Sequence, residues 1–256
     1  MYTTNIAHVL HNQKIFETGS RLLQFFTLSL KSAVHKNKDD NETLSYFLNL
    51  IRKGSTVLDI GAHNDDYLYL MLKMAKRAGS FITFESEPDM YDYLSEKKEI
   101  LKLKNVTVEQ LAFSEIKVKT TSNVSLQKKS SATVIDFKTR ISQEAKKAPA
   151  AHTLDNYCTT HHIQPGFLKI NGQGNELSIL NGATEILQRH KPKILLECEE
   201  RHSGQGNVLK TFQFLTDLKY SGYFILDVMK IPLINFDSNI YQNPLSNFYC
   251  KEFIFE

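Results

Sequence analysis

The 256-residue chain has no tryptophan and only three cysteines, Cys158, Cys198 and Cys250. These lie 40 and 52 residues apart, with no C-x-x-C and no Cys/His cluster. That spacing speaks against a structural metal site, and the sparse, odd count against a disulfide framework; the chain reads as a reducing, cytosolic protein. Long apolar runs are also missing. The longest, Leu22 to Leu30, is interrupted by Gln24, Thr27 and Ser29, well short of the ~20 residues that a spanning helix needs. It starts late and lacks a small-residue cleavage site, which disfavours a signal segment. Charge of one sign is lacking too: 31 basic residues face 28 acidic ones, a net +3. Nucleic-acid binders concentrate basic charge far more strongly, so neither nucleic acid nor a membrane is an expected partner.

What is present is a globular composition, with 41% hydrophobic residues and 11 glycines. The length fits one large domain with an extension. Residues 1–52 read as a helical N-terminal extension, with Leu22, Leu23, Phe25, Phe26, Leu28 and Leu30 on one apolar face and Leu44, Phe47, Leu48 and Ile51 at helical spacing. From residue 53 the pattern changes, and 53–256 reads as one α/β domain. Short apolar runs at 55–60, 80–85, 105–110, 166–171, 193–198, 223–228 and 248–255 predict seven strands. Helical stretches at 65–78, 88–100, 153–162, 175–190 and 208–219 fall between them, and Pro88 suits a first helical turn. Strand and helix alternating at these lengths predict βαβ units and a mostly parallel sheet. The rhythm fails over about 116–150, which carries eight Lys/Arg against two Asp/Glu, a local +6. This basic insertion is either a solvated loop or a lid for an anionic substrate.

Open parallel sheets bind ligands beyond the carboxyl ends of their strands, so the residues following each strand are the candidates. The first strand is followed by Asp59-Ile-Gly-Ala-His-Asn-Asp-Asp-Tyr67, the second by Glu85. Gly61 allows a tight turn and close ligand approach, and the next helix start favours anionic groups. Glu85, 24 residues beyond Gly61, is placed to accept hydrogen bonds from two ribose hydroxyls, near the ~20-residue spacing of dinucleotide sites. The G-x-G-x-x-G pattern is nevertheless missing. A pyrophosphate site and a nicotinamide-dependent oxidoreductase are therefore poor readings. Later junctions supply Asn171-Gly-Gln-Gly-Asn-Glu176 and Glu197-Cys-Glu-Glu-Arg-His202. Gly172-Gln-Gly-Asn175 recurs as Gly204-Gln-Gly-Asn207. Each copy precedes a helix, with asparagine in a residue class that caps helices well.

Several short motifs together resemble the FkbM family of S-adenosylmethionine-dependent methyltransferases. In order they are Asp59-Ile-Gly-Ala, Phe84-Glu85 with Pro88, Asn105-Val to Ala112, Thr153-Leu-Asp155, Leu168-Lys-Ile170, Gly174 and Glu176, Leu180-Asn-Gly-Ala183, and Pro192 to Glu197. The resemblance implies a Rossmann-like seven-strand methyltransferase sheet with a reversed last strand. It also implies S-adenosylmethionine as cofactor and, commonly, O-methylation of a sugar or secondary-metabolite hydroxyl. Carried over residue by residue, Asp59, Gly61 and the adjoining His63 fall in the loop for the methionine part of the cofactor. Glu85 falls at the ribose and Ala112 near the adenine.

The departures from the family are chemical. His63 and Asp65 stand where related loops favour small or neutral residues, Asp65 in place of a glycine, and Asn171 and Gln173 replace an Asp and a Glu. An Asp65 facing the cofactor carboxylate would cost ~4 kcal/mol at about 4 Å and an effective dielectric of ~20. In a helix first turn it would instead gain ~0.3–1 kcal/mol. An amide is no general base, so Glu176, Glu197, His202 and His63 remain as base candidates, with Asn171 beside them in the catalytic set. Two readings follow. In one the chain is a methyltransferase acting on a small-molecule acceptor such as a sugar or anionic metabolite, with no metal and a homodimer contact or acceptor cover from its extension. In the other it is a catalytically impaired relative that binds a ligand or partner.

Overall fold

The computed structural model describes residues 46–62, 67–115, 151–226, 229–245 and 249–256. His63 and Asp65, most of the N-terminal extension and the basic insertion lie outside the described residues. In chain order the main elements are β1 (Thr56–Ile60), α1 (Tyr67–Arg77), β2 (Ser80–Phe84), α2 (Pro88–Ile100), β3 (Val106–Glu109), β4 (Ala112–Phe113) and β5 (Ala151–His152). Then follow α3 (Leu154–Thr160), β6 (Pro165–Asn171), α4 (Glu176–Asn181), α5 (Thr184–His190), β7 (Lys193–Glu197), α6 (Glu200–Ser203), α7 (Asn207–Asp217), β8 (Gly222–Leu226), β9 (Met229–Pro232), α8 (Ser238–Tyr241) and β10 (Glu252–Phe255).

One sheet has the order β3-β2-β1-β6-β7-β10-β8-β9. β1 pairs in parallel with β2 and β6, and β10 runs antiparallel to both β7 and β8. The reversed strand is thus inserted between β7 and β8. Strand order turns back at β1 and β6, the position at which such sheets open a crevice for a ligand. Among the described residues, no helix is long and apolar enough to cross a membrane.

Two apolar layers cover the sheet, as the period-2 alternation of its strands requires. Val57, Phe81 and Phe167 face α1 through Met71, Met74 and Ala75, and Leu94 of α2 joins them. Leu58, Ile60, Phe84, Leu168 and Ile170 face α3, α4, α5 and α7. Residues 46–50 are helical, and Phe47, Leu50 and Ile51 join the first layer. The end of the expected extension is therefore part of the sheet's own core.

The structure differs from the sequence expectation in several places. The sheet has eight strands, because Met229–Pro232 folds back on β8 as an antiparallel edge. The helix expected over 175–190 is two helices, α4 and α5. Gly182 separates them; a Cβ there would stand 2.3 Å from the Ser114 carbonyl oxygen. Asp155 then caps α5, its carboxylate accepting from the Glu185 and Ile186 amides at 2.9 Å. Finally, neither asparagine of the repeated G-Q-G-N loop caps its helix by its side chain. Asn175 donates to the Phe113 carbonyl at 3.0 Å and Asn207 to the Ser203 carbonyl, while Gly206 occupies the N-cap of α7.

Candidate active site

The carboxyl edge of the sheet gathers most of the residues named from sequence. Ile60 pairs in register with Phe84 and with Ile170, so Gly61, Glu85 and Asn171 leave three adjacent strands at one level. Asn171 pairs with Glu197 on the fourth. Asp59 lies one step below this edge, flanked in register by Thr83 and Lys169. Its Oδ2 accepts from the Thr83 hydroxyl at 2.7 Å, and its Oδ1 lies 3.1 Å from Lys169 Nζ. All three side chains are buried. Burial pushes the Asp59 carboxyl above the usual carboxylate range, against the pull of Lys169.

Above this row the chain turns at Gly61 with φ +83°. The Gly61 amide donates to the Phe84 carbonyl at 3.1 Å, and its own carbonyl accepts from Lys169 Nζ at 2.8 Å. The next amide, Ala62, donates to Glu85 Oε2 at 3.2 Å, while Glu85 Oε1 accepts from Ser86 and Glu87 at 2.7 and 2.9 Å. Glu85 is 1% exposed. The turn directs its amide at a carboxylate instead of presenting a cluster of donors to a diphosphate. That matches a sequence with one glycine where dinucleotide sites have three.

Ala112 lies just past β3, in a two-stranded ribbon with Ala151 that brings the two ends of the basic insertion together. Beneath it Phe84, Phe113 and Tyr157 pack edge to face, with centroids 4.8–5.9 Å apart.

The catalytic candidates separate by environment. Glu176 is 2% exposed although it stands in a helix first turn. Its Oε1 accepts from the Gly174 amide at 2.9 Å, and Cys198 Sγ lies 3.8 Å from its Oε2. Desolvation raises its pKa, with the backbone donors pulling the other way. Glu197 is engaged by Lys251 of the reversed strand's approach at 2.7 Å. The His202 side chain is 42% exposed, with Nε2 3.7 Å from Glu199 Oε1. Gln173 sits at φ +47° in the loop before α4, where its side chain hangs on strained backbone. Among the described residues no group of His, Cys, Asp and Glu is arranged to hold a metal ion.

Sequence reasoning missed two buried charges at this edge. Lys169 sits inside the apolar run Phe167-Leu-Lys-Ile170, and a lysine amid buried positions was the available signal. Glu199 is 3% exposed and takes Arg201 Nε at 2.8 Å, Arg201 Nη2 at 2.9 Å and the Tyr249 hydroxyl at 2.5 Å. No local pattern announces that arrangement.

The first G-Q-G-N loop packs against the end of α6, just ahead of the second. A Cβ at Gly174 (φ +98°) would lie 2.4 Å from the His202 carbonyl oxygen, whereas one at Gly206 (φ +77°) would meet nothing within 4 Å. Gly174→Ala is therefore expected to lower stability by at least ~2 kcal/mol through both clash and left-handed backbone. Gly206→Ala carries only the backbone cost, ~1–2 kcal/mol. Urea unfolding of the two variants checks the difference.

Glu176 also gives a pH signature. A carboxyl whose folded-state pKa is raised loses stability as pH rises from its ordinary range, because the folded chain still holds a proton that the unfolded chain has released. Glu176→Gln should thus melt increasingly above wild type as pH rises from its ordinary pKa of 4.5 through the raised folded value, and show no such gain below 4.5. Melting temperatures at acidic and alkaline pH, each compared with wild type, test this.

Comparison with known proteins identifies the family. The methyltransferase FkbM domain matches residues 59–225, well over half of the chain. No curated protein matches the sequence. Among solved structures, methyltransferase FkbM from Methylobacillus flagellatus KT superposes with a TM-score of 0.50 at 15% identity, over 79% of this chain and 44% of that one. The chain thus spans less than half the length of that relative. An O-methyltransferase from Bacillus cereus in complex with SAH aligns with a TM-score of 0.45 at 13% identity, over 93% and 90% of the two chains. With the matched domain running from the buried Asp59 at the end of β1 through to β8, the chain belongs to the FkbM methyltransferase family.

Proposed function

We propose that the chain binds S-adenosylmethionine at the edge formed by β1 and β2 and transfers its methyl group to a hydroxyl of a small-molecule acceptor, a sugar or another hydroxyl-bearing metabolite. The observation that carries this reading is the buried Glu85 carboxylate, 3.2 Å from the amide that follows the Gly61 turn. A carboxylate there suits ribose hydroxyls, and a single-glycine turn suits a ligand without a diphosphate. When bound, S-adenosylmethionine supplies an electrophilic methyl on a sulfonium, open to in-line displacement by an acceptor oxygen.

In this reading Glu85 holds the ribose, Gly61 and Ala62 lie along the methionine part, and Ala112 borders the adenine. Much of the rate then comes from positioning and a fixed electrostatic environment. Of the base candidates, Glu176 is the best suited to take the acceptor proton: it is buried, and desolvation makes it hold a proton more tightly. Glu197 is tied to Lys251 and His202 is largely solvated.

A second reading keeps the binding site without the chemistry, and the amides Asn171 and Gln173 favour it. A radiolabelled methyl-transfer assay over sugars and polyol-bearing metabolites separates the two. Acceptor-dependent transfer supports the enzyme. Cofactor binding without transfer to any member of the panel supports the binding module.

A further inference from the structure

We infer that Lys169 is the positioning residue of the cofactor turn: its ammonium and the Glu85 carboxylate grip the Gly61–Ala62 peptide from opposite ends and fix the backbone against which S-adenosylmethionine packs. The inference rests on the cofactor reading above. Lys169 Nζ approaches the Gly61 carbonyl at 2.8 Å, and Glu85 Oε2 receives the Ala62 amide at 3.2 Å. These are the two polar ends of one peptide group, whose dipole of ~3.5 D points its oxygen at a cation and its N–H at an anion. The Gly61 amide is held as well, by Phe84 at 3.1 Å. A turn with φ +83° has few local restraints of its own, so these three contacts define it.

Lys169 is expensive as a stabilising device. It is 5% exposed in the middle of a buried strand, and desolvating an ion pair commonly cancels its Coulomb gain. Asp59, on the neighbouring strand, and Thr83 beyond it make the burial tolerable: Asp59 neutralises the ammonium at 3.1 Å, and Thr83 satisfies the second carboxylate oxygen. Among the described residues, the charged groups that act on Asp59 are Lys169 and Glu85. In this arrangement Asp59 serves the cofactor through Lys169 and the turn, its two oxygens being directed to Lys169 and Thr83.

The inference separates from simple charge balance in a double variant. Lys169→Met leaves Asp59 buried with, among the described residues, the Thr83 hydroxyl as its hydrogen-bond donor and no cation beside it, and should lower the melting temperature. Asp59→Asn combined with Lys169→Met removes the orphaned charge and keeps the Thr83 hydrogen bond, so the melting temperature should recover. Affinity for S-adenosylhomocysteine should not recover. The Gly61 carbonyl still lacks its cation, so the turn is no longer held from that end, and the double variant should bind at least ~10-fold more weakly than wild type. Calorimetry in the cold, with each protein folded by circular dichroism, reads this directly. A double variant with wild-type affinity overturns the inference while leaving the cofactor site intact. A folded wild type that fails to bind overturns the cofactor reading, and the inference with it.

Discussion

Glu85→Ala is expected to weaken S-adenosylmethionine and S-adenosylhomocysteine alike, by at least ~10–150-fold, the equivalent of one charge-assisted hydrogen bond of ~1.5–3 kcal/mol. The two ligands should suffer equally because ribose contacts do not depend on the transferred methyl. The carboxylate has a second task. It accepts from the amides of Ala62, Ser86 and Glu87, and each buried donor left unpaired costs ~1–3 kcal/mol. The variant should therefore also unfold earlier, and its affinity must be measured on protein shown to be folded. A folded Glu85→Ala protein with undiminished affinity for both ligands would remove Glu85 from the binding site.

The next-largest effect concerns proton transfer. In the proposed mechanism Glu176→Gln lowers kcat by ~10²–10⁴-fold, the range for losing a general base, with little change in KM for S-adenosylmethionine. Asn171→Asp and Gln173→Glu, which restore the acids usual in the family, should leave turnover unchanged or lower it. Asn171 pairs in register with Glu197, and Glu197 with Glu252. A third carboxylate in that row adds like-charge repulsion of ~0.2–1 kcal/mol. Steady-state kinetics of these variants, with Glu197→Gln, His202→Ala and His63→Ala measured beside them, decide the matter. Turnover indifferent to Glu176, Glu197 and His202 would mean that positioning alone carries the reaction. Activity gained only when both acids are restored would mark a lapsed enzyme.

Much of the sheet was legible in the sequence, because strand length, punctuation and alternation are local properties. The run at 80–85 and the proline-opened helix Pro88–Ile100 needed no distant information. The misses were non-local. The break between α4 and α5 answers to a carbonyl at Ser114, on a separate ribbon. The edge strand Met229–Pro232 is half exposed and ends in proline, so it carries no buried alternation. At the site, Gly61 and Glu85 stand in the order that a nucleotide-like ligand requires, and the fold brings them together. Lys169 could not be linked to them beforehand, since its contact with Gly61 spans 108 residues of chain. The same holds for Glu199 and Tyr249, which meet across 50 residues. Glu176 was named from its place after a strand at the ligand edge, but its burial, which changes its acidity, depends on Cys198 and on the loop packed beneath α6.

We propose the edge at Gly61 and Glu85 as the cofactor site for S-adenosylmethionine. Titration calorimetry of the wild-type chain with S-adenosylhomocysteine tests it most directly, and needs neither an acceptor nor turnover. Saturable binding at one site per chain is expected, undisturbed by excess NAD and weakened by Glu85→Ala. Folded wild-type protein that gives no binding signal with either S-adenosylhomocysteine or S-adenosylmethionine would contradict it.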